Sequence, residues 1–287
     1  MAKKSKPIDL AHEGTKAEQD AFRFYASHLV ALAGLCQKLD AHGAPKGEAD
    51  CFFFSGFVIV LRRRWYFATA GHNLEKIEAA TSSSAADIHE CRLIDCFGLQ
   101  AKSTEPIPFD YSGAFKYFRF SEDDGLDFGL IELSSNHRRL LQANGVTAIS
   151  RKHWKDQNRL DFDEFFMLGL PEDSIERRIT RGRIGYAVHG KPNPNVIYIK
   201  RVKQPKKAWM KRYPRFVGRL PARHRLTVGD IAGMSGGPIF GFSEKNAEDY
   251  RIVAVQSTWL KKDGINFGCP VPIFAELAER HLKSIGR

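Results

Sequence analysis

The stretch Gly233-Met234-Ser235-Gly236-Gly237-Pro238 decides how the rest of this chain is read. Glycines on both sides of a serine open backbone conformations that a Cβ forbids. The amides of Gly233 and Ser235 can then converge on one oxygen atom, an oxyanion hole in outline, while the hydroxyl attacks a carbonyl. A glycine-rich turn without chemistry has the same composition, so the string gains meaning only from partners elsewhere.

Two upstream segments supply candidates. In Trp65-Tyr66-Phe67-Ala68-Thr69-Ala70-Gly71-His72 an aromatic and apolar run reads as a strand that breaks at small residues, placing an imidazole at a strand end. A histidine there can take a proton from a nearby hydroxyl. In Gly125-Leu126-Asp127-Phe128-Gly129-Leu130-Ile131-Glu132-Leu133 a carboxylate heads a mostly apolar strand. Taken singly, each has a plain structural reading: His72 is one of ten histidines, and aspartates often start strands or turns.

Taken together the three segments resemble the trypsin-like (chymotrypsin-fold) serine peptidases, especially the bacterial intracellular type. TAGH is similar to that family's TAAH, DFGLIEL to its DIALI and GMSGGP to its GDSGGP; the chain order His, Asp, Ser agrees as well. The likeness runs over residues 50 to 275 and takes in Phe165-Phe166-Met167-Leu168-Gly169-Leu170-Pro171, Arg181-Gly182-Arg183-Ile184-Gly185 and Ile252-Val253-Ala254-Val255-Gln256-Ser257. It implies an all-β fold of two antiparallel six-stranded β-barrels with the cleft between them, to which the apolar spacing adds an N-terminal amphipathic helix and a C-terminal helix. It also implies His72, Asp127 and Ser235 as a catalytic triad and Gly233 and Ser235 as oxyanion donors. The expected organisation is an extension over 1–48, a first barrel over 49–150, a second over 151–271 and a closing helix over 272–287.

The same resemblance places the walls of a specificity pocket at Gly229, Asp230 and Ala232 and at Ser257, Thr258 and Trp259, where an extended substrate would add a strand. Asp230 lies near the place where a carboxylate selects lysine or arginine, although the position of trypsin's aspartate falls on Gly229; a turn-capping role is the alternative. Trp259 stands where many relatives have glycine, so it narrows the pocket mouth or swings aside. In the family's zymogens an aspartate precedes the nucleophile and pairs with a newly cut amino terminus. Here that residue is Met234, so the switch cannot operate, and the cleft is expected to be formed constitutively or controlled by a partner.

Composition sets outer bounds. A chain of 287 residues with 43% hydrophobic residues can bury a large core as one all-β unit plus flanks or as two smaller domains. Cys36, Cys51, Cys91, Cys96 and Cys269 make five, so at least one stays outside any internal disulfide. The start is basic without a following apolar core, which argues against a secretory signal and makes a reduced, cytoplasmic setting the default. His89, Cys91 and Cys96 lack a fourth ligand and match no zinc spacing, so no metal and no cofactor are expected.

Thr15 followed by Glu18 is a capping box, and Phe22, Tyr25, Leu29, Leu32, Cys36 and Leu39 recur at steps of three and four before Gly43, predicting one long amphipathic helix. His28 and flanking charges make it too polar to span a bilayer. Such a helix packs on the back of a barrel or docks a regulatory protein partner. At the other end Pro272 opens a helix whose stripe is Ile273, Leu277, Leu282 and Ile285, with Gly286 as its stop. Between the two, short strands and turns dominate, starting with a hairpin of Cys51 to Val60 and Trp65 to Ala70 around Arg62-Arg63-Arg64.

Charge raises a second class of function. Lys and Arg total 44 against 33 Asp and Glu, a net +11, and residues 200–225 hold eleven bases with no acid. Trp209, Tyr213 and Phe216 interleave with them, a mixture that stacks on nucleotides while cations neutralise phosphates. A solvated hairpin with core-facing aromatics is the simpler account, and steering of acidic protein substrates is a third. Two functions therefore stand after the sequence alone. The first is a serine endopeptidase acting on a protein or peptide substrate; the second is a catalytically silent protease-fold protein that binds nucleic acid or acidic partners. Neither calls for a membrane.

Overall fold

The computed structural model describes residues 15–95, 105–155, 162, 164–172, 175–181, 186–203, 205–221, 231–243 and 246–287. Antiparallel strands are its main regular element. One set forms a seven-stranded sheet, built from β1 (Leu29–Lys38), β2 (Asp50–Leu61), β3 (Arg64–Thr69), β4 (Ala86–Ile94), β5 (Ile107–Pro108), β6 (Lys116–Ser121) and β7 (Leu126–Glu132). Its order is β5-β4-β1-β2-β3-β7-β6. A second set closes into a six-stranded barrel, β11-β12-β15-β14-β13-β8. Its members are β8 (Glu164–Gly169), β11 (Asn195–Arg201), β12 (Phe216–Arg219), β13 (Pro238–Ser243), β14 (Asn246–Leu260) and β15 (Ile265–Pro270). The strands β9 (Ile175–Arg181) and β10 (Tyr186–Pro192) pair only with each other.

The all-β class and the closed six-stranded barrel agree with the sequence reading. The first unit corrects it in strand count: it has seven strands, and among the described residues its ladder stays open between β5 and β6. The amino-terminal helix also needs correcting. Thr15 and Glu18 do exchange capping bonds, but α1 (Lys16–Ala26) ends at Ala26, and the residues expected to continue it form β1, paired to both β2 and β4. The reason is burial on both faces. Leu29, Ala31 and Ala33 enter one apolar cluster while Val30 and Leu32 enter another, so the run shows no alternation.

An eleven-residue helix is marginal by itself, so tertiary contact holds α1. Tyr25 lies edge-on to Phe166 at 4.7 Å and tilted against Phe240 at 5.0 Å, both on the closed barrel. Burying Phe22 and Tyr25 contributes about 2 kcal/mol each.

Two helices were not foreseen, α2 (Gly71–Ser82) and α3 (Ser135–Ala143). The closing helix, α4 (Val271–Ser284), begins with Pro at its first turn as expected, but the face it buries is Val271, Phe274, Ala275, Ala278 and Leu282, and Ile285 is exposed. Phe274 stacks on Phe128 of β7 at 5.3 Å, and His281 stacks on Tyr117 of β6 at 4.2 Å. A helix that leaves the closed barrel from β15 thus lies against the seven-stranded sheet. The β2–β3 hairpin turns on Arg62 and Arg63 with φ +47° and +68°.

Candidate active site

Gly71 explains how His72 is delivered. A Cβ at residue 71 would stand 2.2 Å from the Arg119 carbonyl oxygen and 2.8 Å from that of Phe128, so only glycine lets the start of α2 settle on β6 and β7. His72 therefore sits in the first turn of a helix, where the sequence suggested a strand end. Asp127 is the second residue of β7 and its side chain is nearly buried.

The carboxylate is surrounded by donors. His72 Nδ1 lies 2.8 Å from Asp127 Oδ2, the His72 amide donates to Oδ1 at 2.9 Å, and Ser257 Oγ donates to Oδ2 at 2.6 Å. An ionised carboxylate can only accept, so Nδ1 carries the ring proton and Nε2 is left with a lone pair. Cys269 lies behind the acid, fully buried, and burial pushes its thiol up to about 12. It stays neutral and adds no charge beside the carboxylate.

Ser235 reaches the same cluster from the barrel. Its hydroxyl donates to the Ser257 carbonyl at 3.0 Å, and among the described residues no hydrogen bond joins it to His72. The chain of contacts is Ser235, Ser257, Asp127, His72, so the three motif residues meet where the two β units face each other. Ser257 was expected only as a pocket wall; its double contact was missed, because nothing in the neighbouring sequence signals it. It lies on β14, the strand that pairs with β13 beyond the nucleophile.

The loop around Ser235 is shaped by contacts across the interface. Gly236 has φ +95°, and a Cβ there would come within 2.1 Å of Thr69 Oγ1 and 2.2 Å of the Ser55 carbonyl. Asn73 Nδ2, one residue after the histidine, donates to the Ser235 carbonyl at 3.2 Å. Gly233 has φ +88°. The Ala232 carbonyl accepts from the Glu172 amide at 2.7 Å, and in a trans peptide this turns the Gly233 N–H the opposite way. Met234 is fully buried in the barrel cluster with Phe165, Met167 and Ile239, so apolar packing fills the place before the nucleophile.

Of the pocket candidates, Gly229 and Asp230 lie outside the described residues. Ala232 and Thr258 are exposed, and Trp259 packs its ring against the barrel cluster. His89 sits 3.5 Å from Asp87 and Cys91 is buried; Cys96 lies outside the described residues. In the basic segment Phe216 is buried in the core. Trp209 lies edge-on to Phe267 at 5.8 Å with Lys206 Nζ 5.1 Å above its ring, and Tyr213, half-buried, packs against the core. These rings are engaged within the protein, while Lys200, Lys203, Lys206, Lys207, Arg212 and Arg219 are exposed. Among the described residues no helix is long and apolar enough to cross a membrane.

No protein-family model matches this chain, and no curated protein matches it. Several solved structures are similar in fold. A thermostable serine protease, AL20, from an extremophilic microorganism is 11% identical, with 90% of this chain and 98% of that one covered at a TM-score of 0.46. The protease Anisep from Arthrobacter nicotinovorans is 13% identical over 85% of this chain and 90% of its own, at 0.42. Tobacco etch virus protease in complex with product is 11% identical over 90% and 79%, at 0.41.

Proposed function

We propose that this chain is a serine endopeptidase in which Ser235 is the nucleophile, His72 the general base and Asp127 the residue that orients it. The observation that carries the reading is the 2.8 Å pairing of His72 Nδ1 with a buried Asp127 carboxylate that Ser257 ties to Ser235. Rotation of the Ser235 hydroxyl from the Ser257 carbonyl toward Nε2 starts the reaction. Oγ then attacks the substrate carbonyl carbon as its proton passes to Nε2, and the amides of Gly233 and Ser235 receive the oxyanion. The C–N bond breaks as the leaving amine takes the proton from Nε2. Water attacks the resulting ester, gives a proton to Nε2 and releases the carboxylic acid as Ser235 recovers its hydrogen.

Side chains and backbone amides of this chain suffice for every step. The buried Met234 supports a cleft formed without proteolytic activation. Among the described residues the unpaired thiols of Cys36, Cys91 and Cys269 support a reducing, intracellular setting. The test is labelling by a fluorophosphonate probe with and without cell extract, expected in the parent and lost in Ser235→Ala. Ser235→Ala should also lower kcat on a peptide substrate by roughly a million-fold. Equal cleavage by parent and Ser235→Ala would overturn the assignment of the nucleophile, and a parent that neither labels nor cleaves would favour a silent binding protein.

A further inference from the structure

Ser55, on β2 of the seven-stranded sheet, is fully buried and reaches across to the loop of the barrel that carries the nucleophile. Its hydroxyl accepts from the Leu170 amide at 2.9 Å and donates to the Gly233 carbonyl at 3.1 Å. The two bonds fix each other. With Leu170 N–H occupying a lone pair, the hydroxyl proton is directed to Gly233. Two residues further on, the Glu172 amide holds the Ala232 carbonyl at 2.7 Å. Ser55, Leu170, Glu172, Ala232 and Gly233 therefore close a ring of hydrogen bonds.

The ring has one consequence for chemistry. Gly233 lies between two peptide planes, and each has its carbonyl committed, Ala232 to Glu172 and Gly233 to Ser55. A glycine at φ +88° has little steric resistance to a flip that would point a carbonyl, instead of an N–H, at the developing oxyanion. Hydrogen bonds must then supply the resistance. In relatives with an aspartate before the nucleophile that residue is charged and can be switched; Met234 offers no such bond. The Glu172 amide holds the peptide that carries the Gly233 N–H; we propose that Ser55, by fixing the following peptide at the Gly233 carbonyl and, through Leu170, the segment that carries Glu172, is the positioning residue that keeps the Gly233 amide aimed at the oxyanion. The oxyanion hole of one β unit is thus locked by a side chain of the other. The proposal rests on the peptidase reading given above.

The experiment compares the parent with Ser55→Ala and with Ser55→Cys, a near-isosteric change to a weaker donor. Peptide hydrolysis, inhibition by a peptide aldehyde and thermal unfolding are measured on each full-length protein. An aldehyde forms a hemiacetal with Ser235 and places its oxygen in the hole, so it reports the hole directly. Substrate affinity is measured separately in a Ser235→Ala background. Ser55→Ala is expected to lower kcat/KM and aldehyde affinity together by about thirtyfold, less than removal of an oxyanion donor outright, with the substrate dissociation constant changed less than twofold. Ser55→Cys is expected to fall between the two.

A merely structural role would lower the unfolding temperature and leave the catalytic constants, read well below it, unmoved. Full kcat/KM and aldehyde affinity in folded Ser55→Ala would therefore overturn the inference while the peptidase reading stands. Should Ser55→Ala not fold, full activity in Ser55→Cys overturns it equally. A parent that neither labels with fluorophosphonate nor hydrolyses peptide removes both.

Discussion

His72 and Asp127 hold each other through a ring-to-carboxylate bond of 2.8 Å and a backbone-amide-to-carboxylate bond of 2.9 Å, between α2 and β7 of one unit, with Ser257 donating to the acid from the barrel. Ser235 is placed differently. Its loop is positioned by backbone carbonyls bound to Ser55, Asn73 and Glu172, and by glycines pressed against the opposite unit. The acid–base side is thus fixed by charge and side-chain chemistry, the nucleophile side by bonds to its backbone carbonyls and by shape. A change of polarity should therefore damage the first with little loss of fold, whereas added volume should damage the fold at the second.

Asp127→Asn is the strongest test of that contrast. Both carboxylate oxygens accept from His72, and the amide turns one of them into an NH2 donor; set against Nδ1 it selects the wrong tautomer, and kcat should fall by roughly 10⁴-fold. The unfolding midpoint in urea should move little, and a collapse of stability would erase the distinction between the two sides. Gly236→Ala is the converse. At φ +95°, with contacts of 2.1 and 2.2 Å awaiting its Cβ, it should cost roughly 3–5 kcal/mol of stability by urea titration. A variant as stable as the parent would show that the interface yields easily.

His28 sharpens the comparison away from the site, where α1 meets the barrel. It is buried, its Nδ1 is 2.5 Å from the Thr147 carbonyl and its Nε2 accepts from Tyr250 at 2.9 Å, an arrangement that suits the neutral ring. Burial, with a smaller contribution from His153, lowers its pKa to about 4 from the usual 6.5. The folded state thus disfavours the protonated ring. The stability tied to neutral His28 is fully present above pH 6.5 and is lost as pH falls toward 4. Between pH 7.5 and 4.5 the loss should be about 2–3 kcal/mol, read from urea midpoints, and His28→Gln should flatten it. An unchanged pH profile in that variant would remove His28 as the cause.

The smallest effect concerns the hairpin turn. Arg62 and Arg63 both occupy positive φ, which Asn-Gly tolerates far better. The double change Arg62→Asn with Arg63→Gly should add about 1 kcal/mol of thermal stability and leave catalysis untouched. A loss of stability would mean that the arginines make contacts worth more than the relief of the turn.

The three motifs were legible because each is local: one reactive side chain at a strand end or in a glycine loop, within six to nine residues. What the sequence hid was tertiary. Leu29, Leu32, Cys36 and Leu39 satisfy a helical spacing, yet a strand buried on both faces shows no period of two and is open to that misreading. Ser257 and Ser55 lie 22 and 180 positions from the nucleophile, and no spacing rule connects them to it. The stripe assigned to α4 was incomplete for a related reason: Leu282 is buried and Ile273 and Leu277 pack against the core, but Ala275 and Ala278 also lie on the buried face, where small side chains give little signal.

Helix α4 departs from β15 of the barrel and rests Phe274 on Phe128, the immediate neighbour of Asp127, with His281 further along on Tyr117. It acts as a strut between the halves. A tilt of the barrel presses, through one aromatic stack, on the strand that holds the acid and, through a second, on its neighbour β6, so the alignment of the proton relay and the mechanical stiffness of the molecule depend on one piece of chain.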